Sequence, residues 1–331
     1  MRSSTNRLDS PTPIAGPLRG PGLPRNPDQA GVARRLLLAV APVLSLLLLP
    51  ACISEPGVTP IRSSFNQGVY HFQQGDYTAA ASAYRQALRN DPDDTRARFN
   101  LAVVLEAQAR RTAMGSERLA LQDQAAELYA QLAAENASHT RAAVSLAVLK
   151  HESGQTDDAL AQLESLIDAH PNDPTPATAL AAVLIDTGNA AGARDTLLDA
   201  RRLDPGSVTV NVLLGDAEML ANNPAAAATA YQTALNTQPD NRAALLALAR
   251  AQLILGETAD ALGTARRLLI LDPDNTPAHA LAADAAETLN QPEAAVFHLW
   301  RVRDATTDPK TLARINNRLA GLYRGLLSEL R

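Results

Sequence analysis

The amino-acid sequence predicts an all-α chain of stacked helix pairs. Three observations carry this reading: an apolar content dominated by Ala and Leu, prolines recurring every 34 residues, and an alanine at one fixed place in every period. Of the 331 residues, 46% are hydrophobic but only 3% aromatic. Ala and Leu are strong helix formers and neither is β-branched, so composition already favours helix. Scarce aromatics also exclude a stacking platform for single-stranded nucleic acid. The formal net charge of −5 makes phosphate backbones poor partners.

The first 33 residues are rich in Pro and Gly and lack apolar periodicity. They read as a disordered extension, and a start at Val32 would remove nearly all of it. Residues 1–51 carry six Arg against Asp9 and Asp28. Arg34 and Arg35 precede an uncharged apolar run of 14 residues, Leu36 to Leu49. That is short of the ~20 residues a spanning helix needs, but it suits the apolar region of a secretory signal peptide. Leu49-Pro50-Ala51-Cys52 follows. It resembles a bacterial lipobox, although Pro50 stands where a small or β-branched residue is usual. The resemblance implies a signal peptide over 34–51, cleavage before Cys52, lipidation of Cys52 and a short tether over 52–60. Several acyl chains would anchor the chain stably to a membrane. Ile53 after the cysteine, in place of Asp, implies the periplasmic face of the outer membrane. Cys52 is the single cysteine, so no intramolecular disulfide forms.

From residue 61 the chain repeats. Pro171, Pro205, Pro239 and Pro273 are each 34 residues apart, and Pro92 precedes Pro171 by two periods plus 11 residues. With this proline as position 32, the repeats are 61–94, 95–139, 140–173, 174–207, 208–241, 242–275 and 276–309. Position 20 is then Ala throughout: Ala80, Ala125, Ala159, Ala193, Ala227, Ala261 and Ala295. Position 8 is Gly or Ala, so the two helices of a pair can approach closely. Position 24 is large in most repeats, including Tyr84, Tyr129 and Tyr231, and is expected to fill the space between neighbouring pairs. Gly75, Gly154, Gly188, Asn222, Gly256 and Asn290 at position 15 predict left-handed helix ends. Asp94, Asp173, Ser207, Asn241 and Asn275 at position 34 predict N-caps, and the prolines stop each second helix.

Caps, stops and packing positions agree on one register. Over residues 61–307 they resemble the tetratricopeptide-repeat family, whose period is about 34 residues. The resemblance implies a right-handed superhelix, an α-solenoid of about seven helix–turn–helix repeats. Repeat 2 carries about 11 extra residues around Arg110–Gln122, expected to lengthen its helices around a turn at Met114-Gly115-Ser116. Leu312, Ile315, Leu319, Leu322 and Leu326 recur at helical spacing. Residues 310–331 are therefore read as a helix capping the last apolar surface.

In this family the first helix of each repeat lines a concave groove that holds a protein or peptide, chiefly through positions 2, 5, 9, 12 and 13. Carried onto this chain, those positions are Arg62, Phe65, Val69 and Phe72 in repeat 1, and Arg96, Phe99 and Val103 in repeat 2. Repeat 3 contributes Arg141 and Val148, and further on stand Met219 and Leu253. Glu106, Val144, His151, Asp186, Val212, Asp216, Asp284 and Glu287 fall on the same positions. Aromatic residues beside Arg are good interface anchors. A clamp for a C-terminal carboxylate is not expected, because Phe65, Val69, Phe99 and Val103 stand where it needs polar groups.

No Gly-rich phosphate loop, paired cysteine or His-Glu-x-x-His spacing occurs. The six histidines are scattered through different repeats. No enzyme, cofactor, metal or small-molecule substrate is expected. The reading is a non-enzymatic interaction scaffold of the bacterial cell envelope, assisting assembly of a pilus, secretion or other envelope complex. The alternative is a soluble cytoplasmic co-chaperone or regulatory adaptor.

Overall fold

The computed structural model describes residues 63–135 and 139–329. The candidate signal peptide, Cys52, the tether and Arg62 lie outside them. Among the described residues the secondary structure is entirely helical, and no helix is long and apolar enough to cross a membrane.

Among the described residues fifteen helices follow one another: α1 (Ser64–Gln73), α2 (Tyr77–Asn90), α3 (Thr95–Arg111), α4 (Ser116–Glu135), α5 (Thr140–Glu152), α6 (Thr156–Ala169), α7 (Pro174–Asp186), α8 (Ala190–Leu203), α9 (Val208–Leu220), α10 (Pro224–Thr237), α11 (Arg242–Leu255), α12 (Thr258–Leu271), α13 (Thr276–Thr288), α14 (Pro292–Ala305) and α15 (Pro309–Glu329). Each odd-numbered helix through α13 packs on the even-numbered helix after it, and that helix packs on the next pair. From α5 to α13 the first helices of successive pairs also touch, whereas the second helices meet one another less closely. Neighbours that approach on one side and splay on the other bend the array toward the closer side. From α5 to α13 the first helices therefore line the concave face.

The ends of the helices are set locally. Gly75, Gly154, Gly188 and Gly256 have φ between +74° and +87°, and Asn222 and Asn290 have φ of 59° and 54°. These are the six position-15 residues, and each turns the chain between the two helices of a pair. Asp94, Asp173, Ser207, Asn241 and Asn275 all accept a backbone N–H from the first turn of the following helix. The helices α2, α6, α8, α10 and α12 each end two residues before a proline, since proline disfavours helical backbone in the residue before it. The insertion in repeat 2 is absorbed by lengthening: α3 has 17 residues and α4 has 20.

Position 20 is buried in every pair. At Gly68 and Gly215 the position-24 tyrosine covers position 8 of its own pair, and Tyr84 also belongs to one core with Ala97 and Leu101 of the next pair. A Cβ built on Gly68 would lie 2.7 Å from the Tyr84 ring, and one on Gly215 would lie 2.3 Å from the Tyr231 ring. Glycine there makes room for tyrosine. α15 packs Ile315 and Leu319 on Leu299 and Val302 of α14 and on Ala283 of α13. Trp300 Nε1 donates to Tyr323 Oη at 2.9 Å across the same junction. Asn316 and Asn317 are exposed on α15, as is Leu327.

Candidate functional site

The face formed by the first helices divides into two halves. In the first, Phe65 of α1 and Phe99 of α3 are half-buried. Each rests on the tyrosine beneath it: Phe65 on Tyr84 with ring centroids 5.6 Å apart, Phe99 on Tyr129 at 5.5 Å. Phe72 packs similarly on Tyr77 at 5.6 Å. Val69 and Val103 lie half-buried between them. Arg96 extends over the Phe65 ring, its guanidinium carbon 5.3 Å from the centroid, and its side chain stays 73% exposed. Arg141 is exposed as well. The aromatic edges thus keep one side toward solvent and one toward the core.

Several residues expected on this face are not available there. Val148 is only 5% exposed and belongs to the core with Val144 and Leu180. Val212 is likewise core. Close packing of α5 on α7 and of α7 on α9 closes the first-helix face over them. Met219 and Leu253 remain half-buried at its edge.

Of the carboxylates buried on these groove helices, Glu106 and Asp216 each meet the position-24 tyrosine of their own pair. Tyr129 Oη donates to Glu106 Oε2 at 3.0 Å, and Tyr231 Oη donates to Asp216 Oδ1 at 2.7 Å. Burial pushes the Glu106 carboxyl up to about 7, against the opposing pull of Arg110. Burial also pushes Asp216 up to about 7, moderated by the Tyr231 hydrogen bond and by Arg250. Asp216 Oδ2 is buried without a hydrogen-bond partner.

The second half of the face is charged. Asp216, Arg250, Asp284 and Arg318 follow at intervals of 34 residues, all at position 9. Arg318 of α15 donates to Asp284 at 2.6 Å and to Glu287 at 3.0 Å. Nearer the middle, His151 Nε2 lies 3.0 Å from Asp186 Oδ2, and Nδ1 lies 3.0 Å from Thr156 Oγ1. The alternating row escaped the sequence reading because its last member lies in the segment read only as a cap; its signal is the strict 34-residue interval. A second pair also went unforeseen: His279 and His298 bring their Nδ1 atoms to 2.9 Å, while His279 Nε2 meets the Pro273 carbonyl at 3.0 Å. Among the described residues no group of three or more His, Cys, Asp or Glu side chains could hold a metal ion.

Two tetratricopeptide-repeat family models match the chain, one over residues 65–113 and 212–276, the other over 123–183 and 151–213. The chain belongs to the tetratricopeptide-repeat family. Yeast Tom70 has a similar fold, with a TM-score of 0.59 at 10% identity, covering 90% of this chain and 72% of that one. A tetratricopeptide-repeat protein from Parabacteroides merdae gives 0.51 at 13% identity, covering 78% of this chain and 97% of that one. Among curated proteins, cellulose synthase operon protein C of Pseudomonas fluorescens is 29% identical over 208 residues, 60% of this chain. The chain spans 16% of the length of that relative. As in other tetratricopeptide proteins, the architecture is that of a scaffold for protein binding.

Proposed function

We propose that this protein is a lipid-anchored scaffold of the bacterial cell envelope that holds a protein segment on the first half of the face formed by its first helices. The observation that carries the binding reading is the half-buried Phe65–Phe99 surface. Aromatic side chains backed by buried tyrosines are rigid, so a ligand that covers them loses little further side-chain entropy. The envelope reading rests on the apolar run and on Cys52. Partial similarity to a protein named for a cellulose synthase operon favours an exopolysaccharide assembly over a pilus as the machine served.

Two measurements test this. A photo-crosslinking residue at Val103 should trap a discrete envelope protein, and one at exposed Ile270 should not. Equal trapping at both positions would remove the groove assignment. Palmitate incorporation should disappear in Cys52→Ala; labelling that persists would favour the soluble adaptor instead.

A further inference from the structure

The first half of this face differs in charge from the rest of the solenoid. Residues 61–152 contain ten basic and ten acidic side chains, whereas residues 153–309 contain nine basic and twenty-one acidic. Among the described basic groups of the first half, Arg96 and Arg141 hold the same position in successive repeats. Arg96 lies over the Phe65 ring. Arg141 stands exposed at the same position of the next repeat and makes no hydrogen bond or ion pair among the described residues. At the opposite end of α3, Arg110 and Arg111 fall in its last turn.

The acidic groups near that surface are largely occupied. Glu106 is 3% exposed, accepts from Tyr129 and lies 3.4 Å from Arg110. Asp94 caps α3 and lies 3.6 Å from Arg96. Asp186 is paired with His151. Glu152 is the remaining carboxylate on this part of the face, and it is half-buried.

From this arrangement we infer that the ligand of this face is an amphipathic segment of a partner protein with large apolar side chains on one side and carboxylates flanking them. The apolar side covers Phe65 and Phe99, and the carboxylates reach Arg96 and Arg141. The inference rests on the groove reading above and adds the chemical class of the partner. A basic segment would meet Arg96 and Arg141 as like charges, which disfavours it; Arg110 and Arg111 at the other end of α3 are already engaged by Glu106 and by the Gly75 carbonyl.

The test uses the full chain and three labelled peptides of about 18 residues with one Leu/Phe face and flanks of Glu, Gln or Lys. Fluorescence anisotropy reads affinity. Each exposed charge pair is worth a few-fold, so the Glu peptide should bind about tenfold more tightly than the Gln peptide at low salt. That preference should shrink as salt shortens the screening length. Arg96→Glu/Arg141→Glu, with helicity verified by circular dichroism, should reverse it in favour of the Lys peptide. A preference unchanged in that variant, or absent from the wild type, overturns the inference. If all three peptides bind equally and Phe65→Ala/Phe99→Ala abolishes binding, the groove reading stands and the acidic class falls. If that aromatic variant binds as the wild type does, both fall. Binding to phosphatidylglycerol vesicles with none to any peptide would also overturn it.

Discussion

Replacing Asp216 by Asn should stabilise the protein in mildly alkaline solution and leave it nearly unchanged in acid. Asp216 is 8% exposed, accepts from Tyr231 through Oδ1 and leaves Oδ2 without a partner. Burial lifts its carboxyl from the ordinary 3.8 to about 7. Between those values the folded state holds a proton that the unfolded state has released. The raised group therefore contributes stability that is fully present below about pH 4 and is lost as pH rises through 7. At about 1.4 kcal/mol per unit, the shift corresponds to at most about 4 kcal/mol; relaxation of the site and of Arg250 brings the expected figure to about 2–3 kcal/mol. Asn keeps the acceptor for Tyr231 and removes the titration. Its amide nitrogen inherits the unpartnered place of Oδ2, a cost that the protonated wild type bears too. For a chain of this size, 1 kcal/mol moves the melting temperature by roughly 2–4 °C. Thermal melts at pH 8 should place Asp216→Asn about 5–10 °C above wild type, and the gap should close by pH 4.5. A variant whose melting temperature runs parallel to wild type across that range would refute the assignment of a buried, displaced carboxyl.

Gly215→Ala should destabilise by about 1–3 kcal/mol in urea titrations, because the new methyl falls 2.3 Å from the Tyr231 ring; Gly215→Ala/Tyr231→Leu should recover much of the loss. At Asn222, held at φ 59°, Ala should cost about 1 kcal/mol, while Gly should match or exceed the wild type in the same titration. His298 is pushed down from 6.5 to about 4 by burial first, then by His279 and Arg266. Its contribution is therefore present above pH 6.5 and lost as pH falls toward 4, and His298→Leu should flatten that acid limb of the stability curve. Deleting 309–331 exposes Leu299 and Val302 and should lower the melting temperature and increase binding of a hydrophobic dye; an unchanged melt would remove α15 from its capping role.

The parts of this fold legible in the sequence are those decided within one repeat. A left-handed helix end needs Gly or Asn at one place, and an N-cap needs a short oxygen-bearing side chain at another. Both signals sat in register, and all six turns and five caps appear where they were read. What could not be read depends on the angle at which one pair meets the next. Val69, Val103 and Val148 share position 9, yet the first two stay half-buried and Val148 is core, because α5 packs on α7 while α1 and α3 meet their successors less closely. Glu106 and Asp216 looked like groove charges for the same reason. Each turns toward a tyrosine on another helix, 23 and 15 residues away, and no local pattern announces that partner.

The course of position 9 along the array sets its two halves apart and bears on where the proposed ligand would sit. It reads Val69, Val103, Val148 and Ala182, then Asp216, Arg250, Asp284 and, in α15, Arg318. The end of the charged half is self-satisfied, since Arg318 bonds both Asp284 and Glu287. Ion pairs this exposed contribute little stability, typically under about 1 kcal/mol each, so their value lies in orientation: they fix how α15 closes the array. A ligand entering that end would have to break pairs already made and replace them with equivalent ones, a near-neutral exchange. At the apolar end no such exchange is required. Covering Phe65 and Phe99 would remove apolar surface from water at about 25 cal/mol per Å², and Arg141 makes no ion pair among the described residues. On the proposed reading, binding free energy therefore comes mainly from the first repeats, and the charged half adds little.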